Sequence, residues 1–316
     1  MTAQEPRRRS AVDLEVDDTT EGATVAAVVR VALGEIPWSR AKDLCASGRV
    51  WIDEDRVRDP ARRVRRGERV RVDPGARRLS RGTLVPEALA YVDRDVVVVR
   101  KPAGVLTVPY EKTDRDTLVD QTLAALRPAQ RTSLGVVQRL DVTTSGLVVF
   151  ARNLAAKREL QQQFRRHTIG RRYVAIVHGD ARSATHETHL VQNRGDGLRG
   201  SWGTFRRAGA PPPASARRSI THVRVVERLA GATLVECRLE TGRQHQIRIH
   251  LSEAGNPLAG ERVYIRDYEG PRIEAPRPML HAAYLAFDHP RTGERVELDE
   301  PPPEDFVELC ARLRAP

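Results

Sequence analysis

The amino-acid sequence predicts an α+β protein in two parts, a small α/β unit followed by a larger one. Its 316 residues exceed one ordinary small domain and leave room for a sizeable core. Apolar spacing switches repeatedly between the period of a helix and that of a strand, so both element types alternate along the chain. A stretch containing Gly75, Ser80 and Gly82 interrupts the pattern and reads as a connector. The division expected is a mobile tail over 1–22, a compact unit over 23–75, a linker over 76–87 and the larger unit over 88–316.

Residues 1–22 set Arg7-Arg8-Arg9 against Asp13, Glu15, Asp17 and Asp18, with too little apolar content to fold alone. From Thr24, the spacing of Val25, Val28, Val29, Val31 and Leu33 predicts a helix. A second short helix is expected over Ser39 to Ala46, a strand within Gly48 to Asp53, and a last strand at Val70-Arg71-Val72. In the larger unit, Ala90-Tyr91-Val92 and Asp95 to Arg100 read as strands, the second apolar enough to lie centrally in a sheet. Lys101-Pro102-Ala103-Gly104 then forces a turn. Helices are expected over Leu118 to Leu126 and Ala155 to Phe164, and strands at Val136-Val137, Leu147 to Phe150, Arg171 to Gly179, Ile220 to Val226 and Ala232 to Leu239. Gly195 to Ala216, rich in Gly, Arg and Pro, is expected as a mobile loop insertion. Thr241 and Gln244 have the spacing of a capping box and predict a helix start.

Lys plus Arg number 53 against 42 Asp plus Glu, a formal net charge of +11, which favours a polyanionic partner. Lysine occurs only at 42, 101, 112 and 157, so compositional bias toward arginine is the competing explanation. Cys45, Cys237 and Cys310 are odd in number and far apart; neither a disulfide framework nor a zinc ribbon is indicated. No apolar run reaches membrane-spanning length, and no leader pattern opens the chain, so a cytoplasmic protein is expected. His186-Glu187-Thr188-His189 lacks the spacing of a helical zinc site, and His245 and His250 are five apart, poor for two ligands on one helical face; both read as structural or surface residues. With no Walker loop or dinucleotide fingerprint, neither metal nor cofactor is expected.

The chemistry concentrates in Arg139-Leu140-Asp141-Val142-Thr143-Thr144-Ser145-Gly146-Leu147, where a carboxylate lies between a cation and a tight turn, flanked by apolar runs. A carboxylate at the edge of a core is expensive unless paired; the bland alternative is a turn Asp accepting N–H bonds from the following Thr and Ser. Three further segments follow in order: Tyr173 within Arg172-Tyr173-Val174-Ala175-Ile176-Val177; Thr241-Gly242-Arg243-Gln244-His245-Gln246-Ile247-Arg248-Ile249-His250-Leu251 with Gly255-Asn256-Pro257-Leu258; and Leu280-His281-Ala282 with Phe287-Asp288-His289-Pro290. Together, from about Ala90 onward, the four resemble the RluA-type pseudouridine synthases, which isomerise uridine in RNA.

The resemblance implies a mixed, largely antiparallel sheet in the larger unit, with Asp141 as the catalytic carboxylate. The amino-terminal order of helices and strands resembles the S4-type RNA-binding module, and Arg40, Lys42 and Arg49, with further arginines from Arg56 to Arg66, would contact phosphates there. The isomerisation breaks the bond from ribose to uracil N1 and remakes it at C5, which requires a flipped nucleotide in a closed pocket. A carboxylate below the sugar attacks C1′, removes a proton from C2′, or stabilises positive charge on the ribose. The resemblance places Arg248 beside Asp141 as its partner, Tyr173 against the uracil, and Arg139 in the space that the flipped base leaves. It leaves Arg243 to support the loop or a phosphate. Gln138 stands where the family commonly has His, a departure that bears on RNA preference. Structured RNA is the expected partner of a monomeric enzyme, with large-subunit ribosomal RNA ahead of transfer RNA. The rivals are a catalytically idle RNA-binding or ribosome-assembly protein on the same fold, and a carboxylate-dependent RNA hydrolase, which the apparent lack of a second acidic or His partner near Asp141 disfavours.

Overall fold

A computed structural model describes residues 11–57, 59–76, 84–110, 114, 116–126, 133–203 and 211–314. The chain divides into two compact units, Met1–Thr83 and Leu84–Pro316. In the first, β1 (Val12–Glu15), α1 (Val25–Ala32), α2 (Trp38–Ala46), β2 (Val50–Ile52), β3 (Asp55–Arg56) and β4 (Arg69–Val72) follow in order, and the strands form an antiparallel sheet β1-β4-β2-β3. Thr24 caps α1 by accepting from the Ala27 N–H, and Val25, Ala26, Val28 and Val29 are its buried face, which produces the apolar period seen in the sequence.

The expectation of a mobile tail fails where it is described. Val12 and Leu14 pair with Val72 and Val70 and turn their side chains toward the small core, while Asp13 and Glu15 face water. A four-residue strand needs only two apolar residues on alternate positions when a partner edge is waiting, and composition over 22 residues averages that signal away. Residues 1–10 and 77–83, and Arg58 among the basic series, lie outside the described residues. Arg62 pairs with Glu68, Arg66 with Asp18, and the Arg49 Nε donates to the Ala76 carbonyl, so part of the positive charge is spent inside the unit. Arg40 and Lys42 stay exposed on α2.

The second unit contains β5 (Leu89–Val92), β6 (Val96–Lys101), α3 (Leu118–Ala125), β7 (Gly135–Val136), β8 (Ser145–Ala151), α4 (Leu154–Arg166), β9 (Gly170–His178), β10 (Ala184–Val191), β11 (Gly200–Ser201), β12 (Arg217–Leu229), β13 (Ala232–Leu239), α5 (Gln246–Glu253), β14 (Leu280–Asp288), β15 (Arg295–Asp299) and α6 (Glu304–Arg314). Its strands run β11-β10-β12-β13-β9-β14-β8-β6-β5, with β15 on β14 and β7 on β8. Every pairing is antiparallel except β14 with β8. Among the described residues, no helix is long and apolar enough to cross a membrane.

The valine run of β6 is buried on both faces by simple alternation. Val97 and Val99 join Val148 and Phe150 of β8 in one core, with Leu118 of α3 and Ile247 and Leu251 of α5; Val96 and Val98 face the other way, onto Ala156 and Leu160 of α4. β6 lies one strand from the sheet's end and not at its centre; a helical layer on each face makes a double-sided apolar strand there as well. The 195–216 segment is also not wholly a loop, because Gly200–Ser201 extends the sheet beside β10; residues 204–210 lie outside the described residues. α5 starts at Gln246 and not near Gln244: His245 is left-handed at φ 60°. Gln246 fixes that start, its Oε1 accepting from the Thr241 hydroxyl and the Arg243 N–H while its Nε2 donates to the Ile220 carbonyl.

The parallel pairing requires glycine at 146. Its φ is +112°, and a Cβ there would lie 2.2 Å from the Ala282 carbonyl oxygen on β14. Gly231, at φ +65° in the β12–β13 turn, has nothing within 4 Å of such a Cβ. Gly146→Ala should therefore cost about 2–4 kcal/mol, strain plus overpacking, and Gly231→Ala only about 1 kcal/mol of backbone strain. Chemical denaturation measures both, and equal losses would show that the backbone contact on β14 exerts no constraint.

Candidate active site

The loop from Leu140 to Thr144, between β7 and β8, carries Asp141, and the chain holds this loop mainly by its carbonyls. Lys101, only 2% exposed at the end of β6, donates its ammonium to the carbonyls of Pro102, Val142 and Thr144 at 3.1, 3.1 and 2.7 Å. The Gly104 N–H reaches Val142 O, and the Thr107 hydroxyl both donates to Leu140 O and accepts from Leu140 N. Arg277, clamped to Asp305, adds a bond to Thr143 O, and Ser145 is fixed through His281 to Glu300 O. The Lys-Pro-Ala-Gly turn is thus the clamp of the Asp141 loop.

With its backbone held, Asp141 directs its half-buried carboxylate away from its own loop. Among the described residues no loop N–H donates to it; the turn bond goes from Thr144 N to the Asp141 backbone carbonyl. Its oxygens face Arg248 Nη1 at 3.5 Å and His245 Nε2 at 3.8 Å, both delivered by the start of α5. Arg248 is 7% exposed, and its tightest partner is Glu261, which takes Nε and Nη2 at 2.8 and 2.7 Å with no side-chain exposure of its own. Burial pushes the Glu261 carboxyl up, but the guanidinium and the N–H groups of Val263 and Tyr264 outweigh it and hold the group below its ordinary value. Tyr264 stacks under the guanidinium at 5.2 Å and bonds His245 Nδ1 at 2.7 Å. Burial lowers the His245 pKa against the pull of Asp141, and burial raises Tyr264 to about 12.

Two hollows, of about 60 and about 630 Å³, meet at Arg139, Asp141, Tyr173, Leu239 and Arg243. Tyr173 on β9 is buried at 8% exposure within the main core, yet it lines both. Burial raises its pKa, with Asp141 adding to and Arg171 opposing the shift, so the phenol keeps its proton at neutral pH. Arg139 and Arg243 are exposed on the rim, and Gln138 lines the larger hollow. The structure therefore brings Asp141, Tyr173, Arg248, Arg139, Gln138 and Arg243 to one place. Arg40, Lys42 and Arg49 belong to the other unit.

His245 and Glu261 escape the sequence reading. His245 is no surface residue: it lies against Asp141, the partner thought lacking. Its signal was the i, i+3 spacing to Arg248, which puts both at the start of one helix. Glu261 had no usable signal, being thirteen residues from Arg248 beyond an irregular turn. His250 is structural, bonded to Thr221 and Thr188. Asp93, Asp95 and His289 are close enough together to hold a metal ion. Their oxygens and nitrogens already serve Arg291, Asn153, Tyr91 and one another, a network that ties β14 to the β5–β6 turn.

A family model described as RNA pseudouridylate synthase matches residues 95–253. The chain is 38% identical over 238 residues to the uncharacterized RNA pseudouridine synthase YlyB of Bacillus subtilis, covering 71% of this chain and 72% of the relative. It is 34% identical over 319 residues to the ribosomal large subunit pseudouridine synthase D of Neisseria meningitidis, covering 96% and 82%. In fold it is similar to human RNA pseudouridylate synthase domain containing 4, with a TM-score of 0.61 at 20% identity over 73% of this chain and 94% of that one.

Removing one member of a buried ion pair costs about 3–5 kcal/mol, and Glu261→Gln should lose that much at pH 7. Because the folded carboxyl titrates below its unfolded value of about 4.3, its contribution is complete above that pH and disappears as pH falls through the folded value. The gap between wild type and variant in a pH series of denaturation midpoints should close in acid. A variant as stable as wild type at pH 7 would contradict the pairing.

Proposed function

The chain belongs to the RNA pseudouridylate synthase family, in its RluA-type branch, and on that premise we propose that it isomerises uridines of large-subunit ribosomal RNA, with Asp141 as the carboxylate acting at the ribose. The observation that carries the assignment of Asp141 is its pairing. Arg248 stands at 3.5 Å, longer than a close hydrogen bond, while Glu261 takes the short bonds. The carboxylate is kept beside a cation without being consumed by it, so its lone pairs are available to a substrate. The close neighbour His245 is neutral at physiological pH, since its pKa is lowered, and does not compete for that charge.

In the reaction the C1′–N1 bond breaks, a C1′–C5 bond forms, the C5 proton leaves and N1 gains one. Asp141 serves as nucleophile at C1′, as base at C2′, or as counter-charge to the ribose. Tyr173, uncharged and buried on the wall of both hollows, provides a face for the detached uracil, and stacking of this kind is worth about 1–3 kcal/mol per base. Arg139, exposed two residues before Asp141, suits the gap left in the RNA stack. The choice of RNA rests on the relative from Neisseria meningitidis, whose name states the large ribosomal subunit and which this chain matches over 96% of its length. The amino-terminal unit, with Arg40 and Lys42 exposed on α2, suits an S4-like anchor on phosphates.

Mapping pseudouridines in cells with and without the gene, and in unmodified large-subunit RNA incubated with the purified protein, tests this reading. The expected result is loss of one or a few ribosomal positions without the gene and their restoration in vitro. Loss confined to transfer RNA would favour the transfer-RNA reading instead, and no change at any position would return the chain to an idle RNA-binding role.

A further inference from the structure

Beside Asp141, the larger hollow contains a buried cation that has no counter-ion among the described residues. Arg171 lies two residues before Tyr173 on β9, so both side chains emerge on one face. It is 8% exposed. Among the described residues its guanidinium meets no carboxylate: Nη2 donates to the Glu240 carbonyl at 3.1 Å, the plane lies 5.4 Å from the Phe164 ring, and Nε has no partner. The carboxylate of Glu240 is taken by His222 at 2.6 Å. A second orphan donor, Nε2 of Gln138, is buried in the wall of the same hollow. Gly242 leaves room for this arrangement, since a Cβ there would come within 2.6 Å of Arg171 Nη1.

Buried polar groups without partners are uncommon, and a buried cation without one is costly. Two orphan donors in one hollow call for an acceptor from outside the protein. Among the described residues its other charged lining is Arg139, Arg165 and Arg243, with Asp141 alone of opposite sign, so the acceptor carries negative charge. Guanidinium groups match phosphate oxygens in geometry as well as charge. We propose that this hollow is a phosphate subsite, in which Arg171 and Gln138 receive a phosphodiester of the substrate strand next to the uridine presented to Asp141. That the phosphate belongs to RNA rests on the function proposed above; the donor set does not.

The test uses the full chain with 15N-labelled arginine, inorganic phosphate as probe and chloride at matched ionic strength as control. The Arg171 Nε–H resonance, assigned by its loss in Arg171→Lys, should shift saturably with phosphate and not with chloride, and Gln138→Leu should weaken that phosphate binding at least threefold. In a second arm, binding of large-subunit ribosomal RNA is followed against salt. Arg171→Met, checked for folding by thermal melt, should show a slope shallower by about one unit, the loss of one phosphate contact by a cation, and Arg171→Lys should restore it; Gln138→Leu, which removes no charge, should weaken binding with its slope little changed. An Nε–H that ignores phosphate overturns the subsite. Phosphate binding with an unchanged RNA slope in Arg171→Met overturns its assignment to the RNA strand, and phosphate binding by a protein that isomerises no ribosomal uridine would separate this subsite from the function proposed above.

Discussion

The site depends on one buried pairing, Arg248 with Glu261. A guanidinium in the core of a sheet protein is tolerable only if its charge is answered there. Glu261 answers it with two short bonds and with no exposure of its own. Because that demand is met from behind, Asp141 is not needed to neutralise Arg248 and keeps a looser contact. The same arrangement steadies the site face of α5, since Tyr264, following the Glu261 turn, supports both Arg248 and His245. Charge is thereby placed before any substrate arrives, which is how electrostatic stabilisation avoids reorganisation during reaction.

A second layer holds the carboxylate's backbone. Lys101 spends its ammonium on three carbonyls, two of them in the Asp141 loop, and the loop enters β8 through Gly146, packed against β14. Loops that carry chemistry need such support because they are otherwise the most mobile part of a fold. The cost is a sequence with little freedom: lysine where a buried ammonium reaches three backbone carbonyls, and glycine where any Cβ would strike the neighbouring strand.

Much of this was readable before the structure, and the reasons differ by element. β6, β8 and β9 were legible because burial on two faces writes a continuous apolar run, and α1 and α4 because a single buried stripe repeats at helical spacing. β1 was missed because two apolar residues in a charged segment say nothing until the β4 edge is in place. The helix start at Gln246 was misread since side-chain bonds from Thr241 and to Ile220 override a local capping pattern. In the site, Asp141, Tyr173 and Arg248 were picked out by family resemblance, while local pattern alone would have left Tyr173 in the core. Glu261 and Lys101 show the limit: both act through long-range pairing to groups that only the folded sheet brings near.

The central claim is that Asp141 supplies chemistry and not binding. The direct measurement is single-turnover isomerisation and RNA affinity of Asp141→Asn, run on the same large-subunit RNA as wild type. Asparagine keeps the size but loses the charge and the nucleophile, while the short bonds that hold Arg248 and the loop backbone are made by Glu261 and Lys101 and not by this carboxylate. The account predicts RNA affinity within about threefold of wild type, a difference of under 1 kcal/mol, with no pseudouridine formed. Turnover near wild type, or loss of activity explained wholly by loss of affinity, would contradict it.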